Sequence, residues 1–430
     1  MSQFTKKAIL CYVTIYSTVT ILSFIYLNRL VTYDLNWSQL LIQVVLIVYG
    51  LIITPFLVFR TVITYLYKPT PDMGHRPYVS VLVPVYNEEN GICNTIDSIL
   101  NSDYPKDKLE LIVIDDKSKD KTLEVINKKR QECNFKIVAQ ANNLGKRHAM
   151  AAGLKQCSGE ILVCVDSDTI LKPDAIKNLV QPFHDEKVYC TCGSAIVAND
   201  TDSQTNTLIA RFQKVWYADS FRLRKGVESL FNMVICCSGV LSAYRREKFE
   251  SVTEEWLNEK FLGREVISGD DRQMTNLMMR MGGKSVFQSN AQAYTFAPHK
   301  FKKFLIQQIR WGRSGFRGML FASRFFTKKN TAQKIIFYLT MFTTFISPIS
   351  LLVNTIGLAM LSRYDLIISY FAGLLIVSTL IALSDKLLVE YFSFKDMLYR
   401  IAFFAISIIL TFVYLYSWLT LWKGKTWGTR

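Results

Sequence analysis

The run SGDDRQMTN, Ser268–Asn276, sets two carboxylates side by side, Asp270 and Asp271, with Arg272 next in the chain. Adjacent acids repel each other and need solvent or positive partners. A carboxylate held in such a position can act as a general base, because a hydroxyl is a poor nucleophile until its proton is removed. One acid of the pair can do that while the other is held by Arg272 or a neighbouring backbone amide. A second pair, Asp166 and Asp168, sits on one short turn in the run DSDT. Hard oxygen ligands of this kind suit Mg²⁺ or Mn²⁺, which bind through one or two carboxylates plus substrate phosphates. Such an ion neutralises charge on a leaving diphosphate.

A third pair, Asp115 and Asp116, offers acceptors for a ribose hydroxyl or a base edge, or else a cap for a helix expected from Asp120. Gly145-Lys146-Arg147-His148 brings two cations onto a glycine turn that leads into a helix. That is either a diphosphate cradle or a solvated basic turn. Gln307, Arg310 and Trp311 lie in a basic-aromatic helix expected over Lys302–Phe326. Such a helix suits a membrane interface, yet indole faces also stack on sugar rings and arginine pairs with phosphate oxygens.

These acids act together only if the fold gathers them. The polar middle of the chain, from about Lys68 to Thr327, opens with Pro69, Pro71 and Pro77 and then alternates. Strands are expected at Tyr78–Val85, Leu109–Ile114, Phe135–Ala139 and Glu160–Val165. Helices are expected at Gly91–Asn101, Asp120–Lys129 and His148–Lys155. This spacing reads as a doubly wound, mostly parallel α/β sheet, in which ligands bind at the carboxyl ends of the strands. Three of these four strands end in acids: Tyr86-Asn87-Glu88-Glu89, Asp115-Asp116 and Asp166-Ser167-Asp168. A single aspartate after a strand is usually a turn former; three acidic strand ends point to a site.

Half of the 430 residues are hydrophobic, and 51 Lys and Arg face 35 Asp and Glu, a formal charge of +16. The apolar residues gather in Ala8–Asn28, Leu40–Tyr65, Ile335–Leu361, Leu366–Leu383 and Ile401–Leu421. A bilayer-spanning helix needs about 20 such residues. Ala8–Asn28 lacks a small-residue cleavage site and is followed by a second span, so it reads as a retained anchor rather than a signal peptide. Basic residues flank the spans, among them Lys6, Lys7, Arg60, Lys68, Lys302, Lys303, Lys328, Lys329, Lys423 and Lys425. This positive-inside pattern places the N-terminus and the middle segment in the cytoplasm, and it accounts for the charge without nucleic acid as a partner. With both termini cytoplasmic the number of spans is even. One of the three trailing stretches then lies flat or re-enters, or Ile335–Leu361 breaks near Pro348; the charged stretch Asp385–Lys395 also suits an interface. Nine cysteines without CxxC spacing read as free structural thiols in a reducing compartment.

The runs VPVYNEE, DDKS, NLGKRHAM, DSDT, SGDDRQMTN and QQIRW follow one another in an order that resembles the processive family-2 glycosyltransferases. Those include the cellulose, chitin and hyaluronan synthases. NLGKRHAM, CCSGVLSAYRRE, WLNEKFLGREVISGDDRQMTN and the terminal WGTR are similar to bacterial class I hyaluronan synthases, over nearly the whole chain.

The resemblance implies a GT-A α/β catalytic domain on the cytoplasmic face, embedded in an α-helical transmembrane region. It implies two N-terminal transmembrane helices over 1–68, the catalytic domain over 69–300, amphipathic interfacial helices with QxxRW over 301–330, and C-terminal transmembrane helices with the WGTR tail over 331–430. The implied partners are UDP-GlcNAc and UDP-GlcA as donors, a growing polysaccharide extruded through the protein's own membrane segment, and membrane lipids.

By position, Asp115 would contact the uridine and Lys146 the diphosphate, and Asp166 with Asp168 would bind UDP and Mg²⁺ or Mn²⁺. Asp271 would be the base, beside Asp270, and would give a β-linked product from an α-linked donor. Gln307, Arg310 and Trp311 would form the floor for the acceptor sugar and diphosphate, and Trp427–Arg430 a gate near the nucleotide. The sequence departs from the pattern at Lys117, where relatives often have glycine, at Val240, where proline is usual, and in the slender Gly312-Arg313-Ser314-Gly315 run. Two other readings stand beside this one: a chitin-like or poly-N-acetylglucosamine synthase using UDP-GlcNAc alone, and a polysaccharide channel or partner subunit with an inactive transferase domain.

Overall fold

The computed structural model describes residues 59–199, 204–360 and 393–423, with isolated positions between 37 and 57 and between 362 and 382. The expected spans Ala8–Asn28, most of Leu40–Tyr65 and most of Leu366–Leu383, and the WGTR tail, lie outside the described residues. The chain divides into two compact units, one of Lys68–Gln333 with Tyr416–Arg430, the other of Met1–Tyr67 with Lys334–Leu415.

The first unit is built on one eight-stranded sheet. Its strands, in chain order, are β1 Val79–Val85, β2 Leu109–Asp115, β3 Lys136–Ala139, β4 Ile161–Cys164, β5 Thr169–Leu171, β6 Val188–Val197 and β7 Ser242–Arg245. A small hairpin, β8 Lys260–Phe261 with β9 Arg264–Glu265, stands apart, and β10 Lys284–Thr295 returns to the sheet. The order across the sheet is β3-β2-β1-β4-β7-β6-β10-β5. The expected strands and helices of the first half all form, with ends moved by a few residues.

The sequence dictates the centre of this sheet. β1 (VSVLVPV) and β4 (ILVC) are buried along their whole length, as strands covered on both faces must be, and such strands read as unbroken apolar runs. β3, β2, β1 and β4 are all parallel, with Val85 beside Asp115 and Leu82 beside Cys164. Their carboxyl ends therefore open onto one rim. β7 departs from the parallel pattern, running antiparallel to both β4 and β6. Its first residue, Ser242, pairs with Cys164, so the loop before it, Cys236–Leu241, joins the same rim.

The helices that serve the rim are α1 Ile92–Leu100, α2 Thr122–Glu132, α3 Lys146–Leu154, α4 Leu208–Asp219, α5 Arg246–Leu257, α6 Asp270–Arg280 and α7 Phe301–Phe326. Gly153 shows how closely α3 lies on the sheet: a Cβ there would come within 2.7–2.9 Å of Ile114 and Leu82. α6 begins directly after Gly269, whose left-handed backbone (φ 98°) turns the chain into the helix at Asp270.

In the second unit, α8 Thr331–Leu352 runs straight through Pro348 and passes into a wider π turn over Val353–Gly357. A helix break at Pro348, one of the alternatives the sequence leaves open, is not what the described residues show: the helix continues past the proline to Leu352, although proline removes one backbone donor. Among the described residues Thr331–Gly357 is the helix long and apolar enough to cross a membrane, while Pro55–Leu66 and Ile408–Trp418 are shorter apolar helices. The last of these belongs to α9 Phe394–Trp418.

Glu110 in β2 ties the sheet to the turn before β4. Its carboxylate accepts hydrogen bonds from the Ser158 amide at 2.6 Å, the Gly159 amide at 3.2 Å, Lys136 at 2.8 Å and the Ser80 hydroxyl. Burial would raise its pKa, but these donors outweigh burial and bring it from 4.5 down to about 2. The folded chain thus binds this proton less readily than the unfolded chain, so the stabilisation is present above pH 4.5 and lost as pH falls toward 2. Glu110→Gln should flatten the pH dependence of the thermal unfolding midpoint across that window; an unchanged acid slope would contradict the assignment.

Candidate active site

The rim is closed first by backbone. Asp116 is buried, and its carboxylate accepts the amides of Leu144 at 3.0 Å and Gly145 at 2.8 Å. Burial pushes its pKa up against the pull of those two amides. Asp115, also buried, accepts the Ser118 amide at 3.2 Å. Neither acid caps α2; Asp120 takes the Thr122 amide there at 3.0 Å. Between them and Ser118, Lys117 adopts φ 59°, a left-handed conformation that glycine accepts at least cost.

The buried Asp116 fixes the turn that starts α3, and with it the direction of Lys146. The Lys146 ammonium forms an ion pair with Asp166, just beyond β4. A Cβ added to Gly239 would stand 2.5 Å from Lys146 Nζ and 3.0 Å from Asp166 Oδ1. The Gly239 amide donates to Asp271 Oδ2 at 3.1 Å. Lys146, Asp166 and Asp271, drawn from three separate stretches of chain, thus meet around one glycine. Burial disfavours the Lys146 charge, but Asp166, Asp271 and Asp270 more than offset it and raise its pKa.

Asp271 is also held from behind. Its Oδ1 accepts the Arg272 amide at 3.0 Å, and the Cys236 thiol reaches Oδ2 at 3.8 Å. Burial, with Asp271 alongside, pushes that thiol up to about 12, so it stays a neutral donor. Thr275 donates to the Asp271 carbonyl at 2.7 Å and accepts the Cys237 amide at 2.9 Å, which staples the first turn of α6 to the loop before β7.

Asp270 has a different partner from the one expected. The Arg272 side chain does not hold it; Arg147 does, with Nε 2.5 Å from Asp270 Oδ1. The same guanidinium donates to Glu259 at 2.5 Å and to the Trp256 carbonyl at 2.9 Å. Arg147 therefore turns away from the rim and is no part of a two-cation cradle; only Lys146 faces Asp166. Successive helical residues point about 100° apart, so a Lys-Arg pair at a helix start cannot aim both cations at one ligand.

Asp166 and Asp168 face different surroundings. Asp168 lines a cleft of about 290 Å³ together with Glu88, Asn94, Thr95, Asn199 and His299. Among the described residues no cluster of three or more His, Cys, Asp or Glu side chains stands ready for a metal. A two-carboxylate turn still fits Mg²⁺ or Mn²⁺, which take their remaining ligands from phosphate oxygens and water.

Gln307, Arg310 and Trp311 lie on α7. Gln307 is buried and its carbonyl accepts Gln308 Nε2 at 3.2 Å. The Trp311 ring packs 5.9 Å from both Trp216 and Tyr217 of α4. Arg310 Nε is buried with no hydrogen-bond partner among the described residues. Two turns on, the same helix supports the acid pair: Arg317 donates to the Ser268 carbonyl at 3.0 Å and hydroxyl at 3.1 Å, and Asn276 donates to the Gly318 carbonyl at 3.1 Å. The slender run suits this contact, since Ser314 packs directly against Gly269.

Residues 80–253 match the sequence profile of Glycosyl transferase family 2. Over 332 residues, 76% of each chain, the protein is 34% identical to the hyaluronan synthase of Streptococcus pyogenes. The chain belongs to the bacterial hyaluronan synthase family. Like its relatives, it is a glycosyltransferase. It is also 32% identical over 251 residues to an N-acetylglucosaminyltransferase of Bradyrhizobium diazoefficiens, covering 58% of this chain and 51% of that one. In structure it resembles the mannosyltransferase PcManGT of Pyrobaculum calidifontis, solved with GDP-Man and Mn²⁺, with a TM-score of 0.55 at 19% identity, over 94% of this chain and 99% of that one. That likeness is one of fold, the GT-A α/β fold that the family resemblance implies.

Gly239, around which these side chains meet, stood out in the sequence only as part of the run CCSGVLSAYRRE. Gly239→Ala should disturb Lys146 and Asp166 together. About 100-fold lower transferase activity is expected, the scale of an ångström-sized misplacement, with a thermal unfolding midpoint close to wild type. Full activity in this variant would show that the three side chains need not meet there.

Proposed function

We propose that the protein is a membrane-embedded, processive, inverting synthase that joins N-acetylglucosamine and glucuronic acid from UDP-GlcNAc and UDP-GlcA into hyaluronan and exports the chain. The observation that carries the reading is the meeting of Lys146, Asp166 and Asp271 at Gly239. It supports a donor diphosphate on one side and an acceptor hydroxyl on the other. Lys146 pairs with the diphosphate and Asp115 takes hydrogen bonds from the nucleoside. Asp271 removes the proton from the acceptor hydroxyl, which attacks the anomeric carbon from the face opposite UDP and inverts it. Asp270, paired with Arg147, remains a fixed neighbour. Asp166 and Asp168 would hold Mg²⁺ or Mn²⁺, which when bound neutralises charge on the departing UDP.

Gln307, Arg310 and Trp311 form the acceptor floor in this reading, with the Trp311 indole as a stacking face for the sugar. The proposed organisation is two membrane helices over 1–68, a cytoplasmic GT-A domain over 69–300, interfacial helices over 301–330, and membrane helices with the WGTR tail over 331–430. Thr331–Gly357 supports the last of these by length and composition. The family likeness supports a multi-pass plasma-membrane protein in contact with lipids. A second reading, a polymer of N-acetylglucosamine alone, is favoured by the N-acetylglucosaminyltransferase likeness.

Membranes given each UDP-sugar singly and then together separate the two readings. Hyaluronan synthesis requires both donors and yields a product that a hyaluronan-specific lyase destroys; polymer from UDP-GlcNAc alone would overturn it. Asp271→Asn should reduce transfer by about 10²–10⁴-fold while UDP still binds. Asp168→Asn should instead weaken Mn²⁺-dependent UDP binding in an equilibrium assay, and unchanged binding would remove Asp168 from the metal site.

A further inference from the structure

We propose that Arg147 is a positioning residue for glycosyl transfer: it pins Asp270 inside a buried ion network so that Asp271 alone is presented to the acceptor. The inference deepens the proposed function and rests on Asp271 as the base.

Arg147 is the second residue of α3, directly after Lys146. It is 5% exposed and spends its donors on three targets: Asp270 Oδ1 at 2.5 Å, Glu259 Oε2 at 2.5 Å and the Trp256 carbonyl at 2.9 Å. Its guanidinium also lies over the Trp256 ring, 5.7 Å from the centroid. Trp256 completes the circle by donating its indole N–H to the Asp270 carbonyl at 2.9 Å. One planar cation thus fixes the end of α5, the start of α6 and the acid at the foot of the β8–β9 hairpin.

This geometry constrains the chemistry. Asp270 and Asp271 are neighbours on the first turn of α6, and a helix N-terminus favours acids there. Without Arg147, two carboxylates, Asp270 and Glu259, would remain in a closed space with Arg317 as the nearby cation. Their repulsion would move the start of α6, and Asp271 would move with it, away from the Gly239 amide. Lysine is a poor replacement, because its donors all sit on one nitrogen, whereas Arg147 reaches its three acceptors from Nε, Nη1 and Nη2.

The experiment uses the full-length protein in membranes or detergent. Transfer is measured under saturating donors, with kcat counted per UDP-binding site so that unfolded molecules do not enter. Arg147→Lys should lower this kcat by about 100-fold, the scale of a base moved by about an ångström, with UDP affinity and the donor KM unchanged. Asp270→Asn should lower kcat too, and the double variant should be no worse than the poorer single one, because both changes remove the same restraint. Should Arg147→Lys fold poorly, Arg147→Met takes its place in the cycle.

A normal kcat per site in Arg147→Lys would reduce Arg147 to a stabilising residue and overturn the proposal, as would additive losses in the double variant. A loss of UDP affinity equal to the loss of kcat would make Arg147 a donor ligand instead, and would also overturn it. Asp271→Asn separates the underlying reading: if that variant keeps activity, the base assignment fails, whereas an inactive Asp271→Asn beside a normal Arg147→Lys removes only the positioning role.

Discussion

Four carboxylates, Asp166, Asp270, Asp271 and Glu259, stand close enough at one end of the sheet to be governed by two adjacent cations, Lys146 and Arg147. Unpaired charges in a partly buried space are costly, and breaking a buried pair by removing one partner costs about 3–5 kcal/mol. The dipeptide solves this by pointing its two side chains in different directions from the start of one helix. Lys146 serves the rim, where a diphosphate can replace Asp166 as its partner. Arg147 serves the interior, where its partners are permanent. Both side chains leave from the same turn of α3.

The fold exists to hold that turn. Fully buried parallel strands bring the ends of β1, β2 and β4 to one rim. The buried Asp116 anchors the loop that enters α3. The reversed strand β7 is as important as the parallel ones, because only an antiparallel strand can deliver its preceding loop, with Gly239, to the same rim. α7 completes the arrangement from the other side. It carries Gln307, Arg310 and Trp311 and braces Ser268 ahead of the acid pair through Arg317.

Much of this was legible in the sequence, and the reasons differ from residue to residue. Strand ends followed by acids are local signals, so the places of Asp115, Asp166 and Asp168 could be read from pattern alone. The pair Asp270–Asp271 announced itself by its own repulsion. Which partner each acid takes is a long-range fact, set by α3 and the 236–241 loop, more than a hundred and about thirty residues away. Arg272 was the near candidate for Asp270; Arg147 won because the packing of α3 on the sheet aims it there. The reversal of β7 was hidden for the same kind of reason, since a four-residue strand carries no mark of its direction. The helix that continues past Pro348 shows a local rule overridden in its surroundings.

The most direct test of the convergence is a cryo-electron microscopy structure of the full-length protein with UDP and Mn²⁺. The account predicts a diphosphate against Lys146 and Asp166, with the Asp271 carboxylate still on the Gly239 amide and facing the vacant sugar position across from the phosphates. A nucleotide bound elsewhere, or an Asp271 turned away from it while Asp270 points in, would contradict the account.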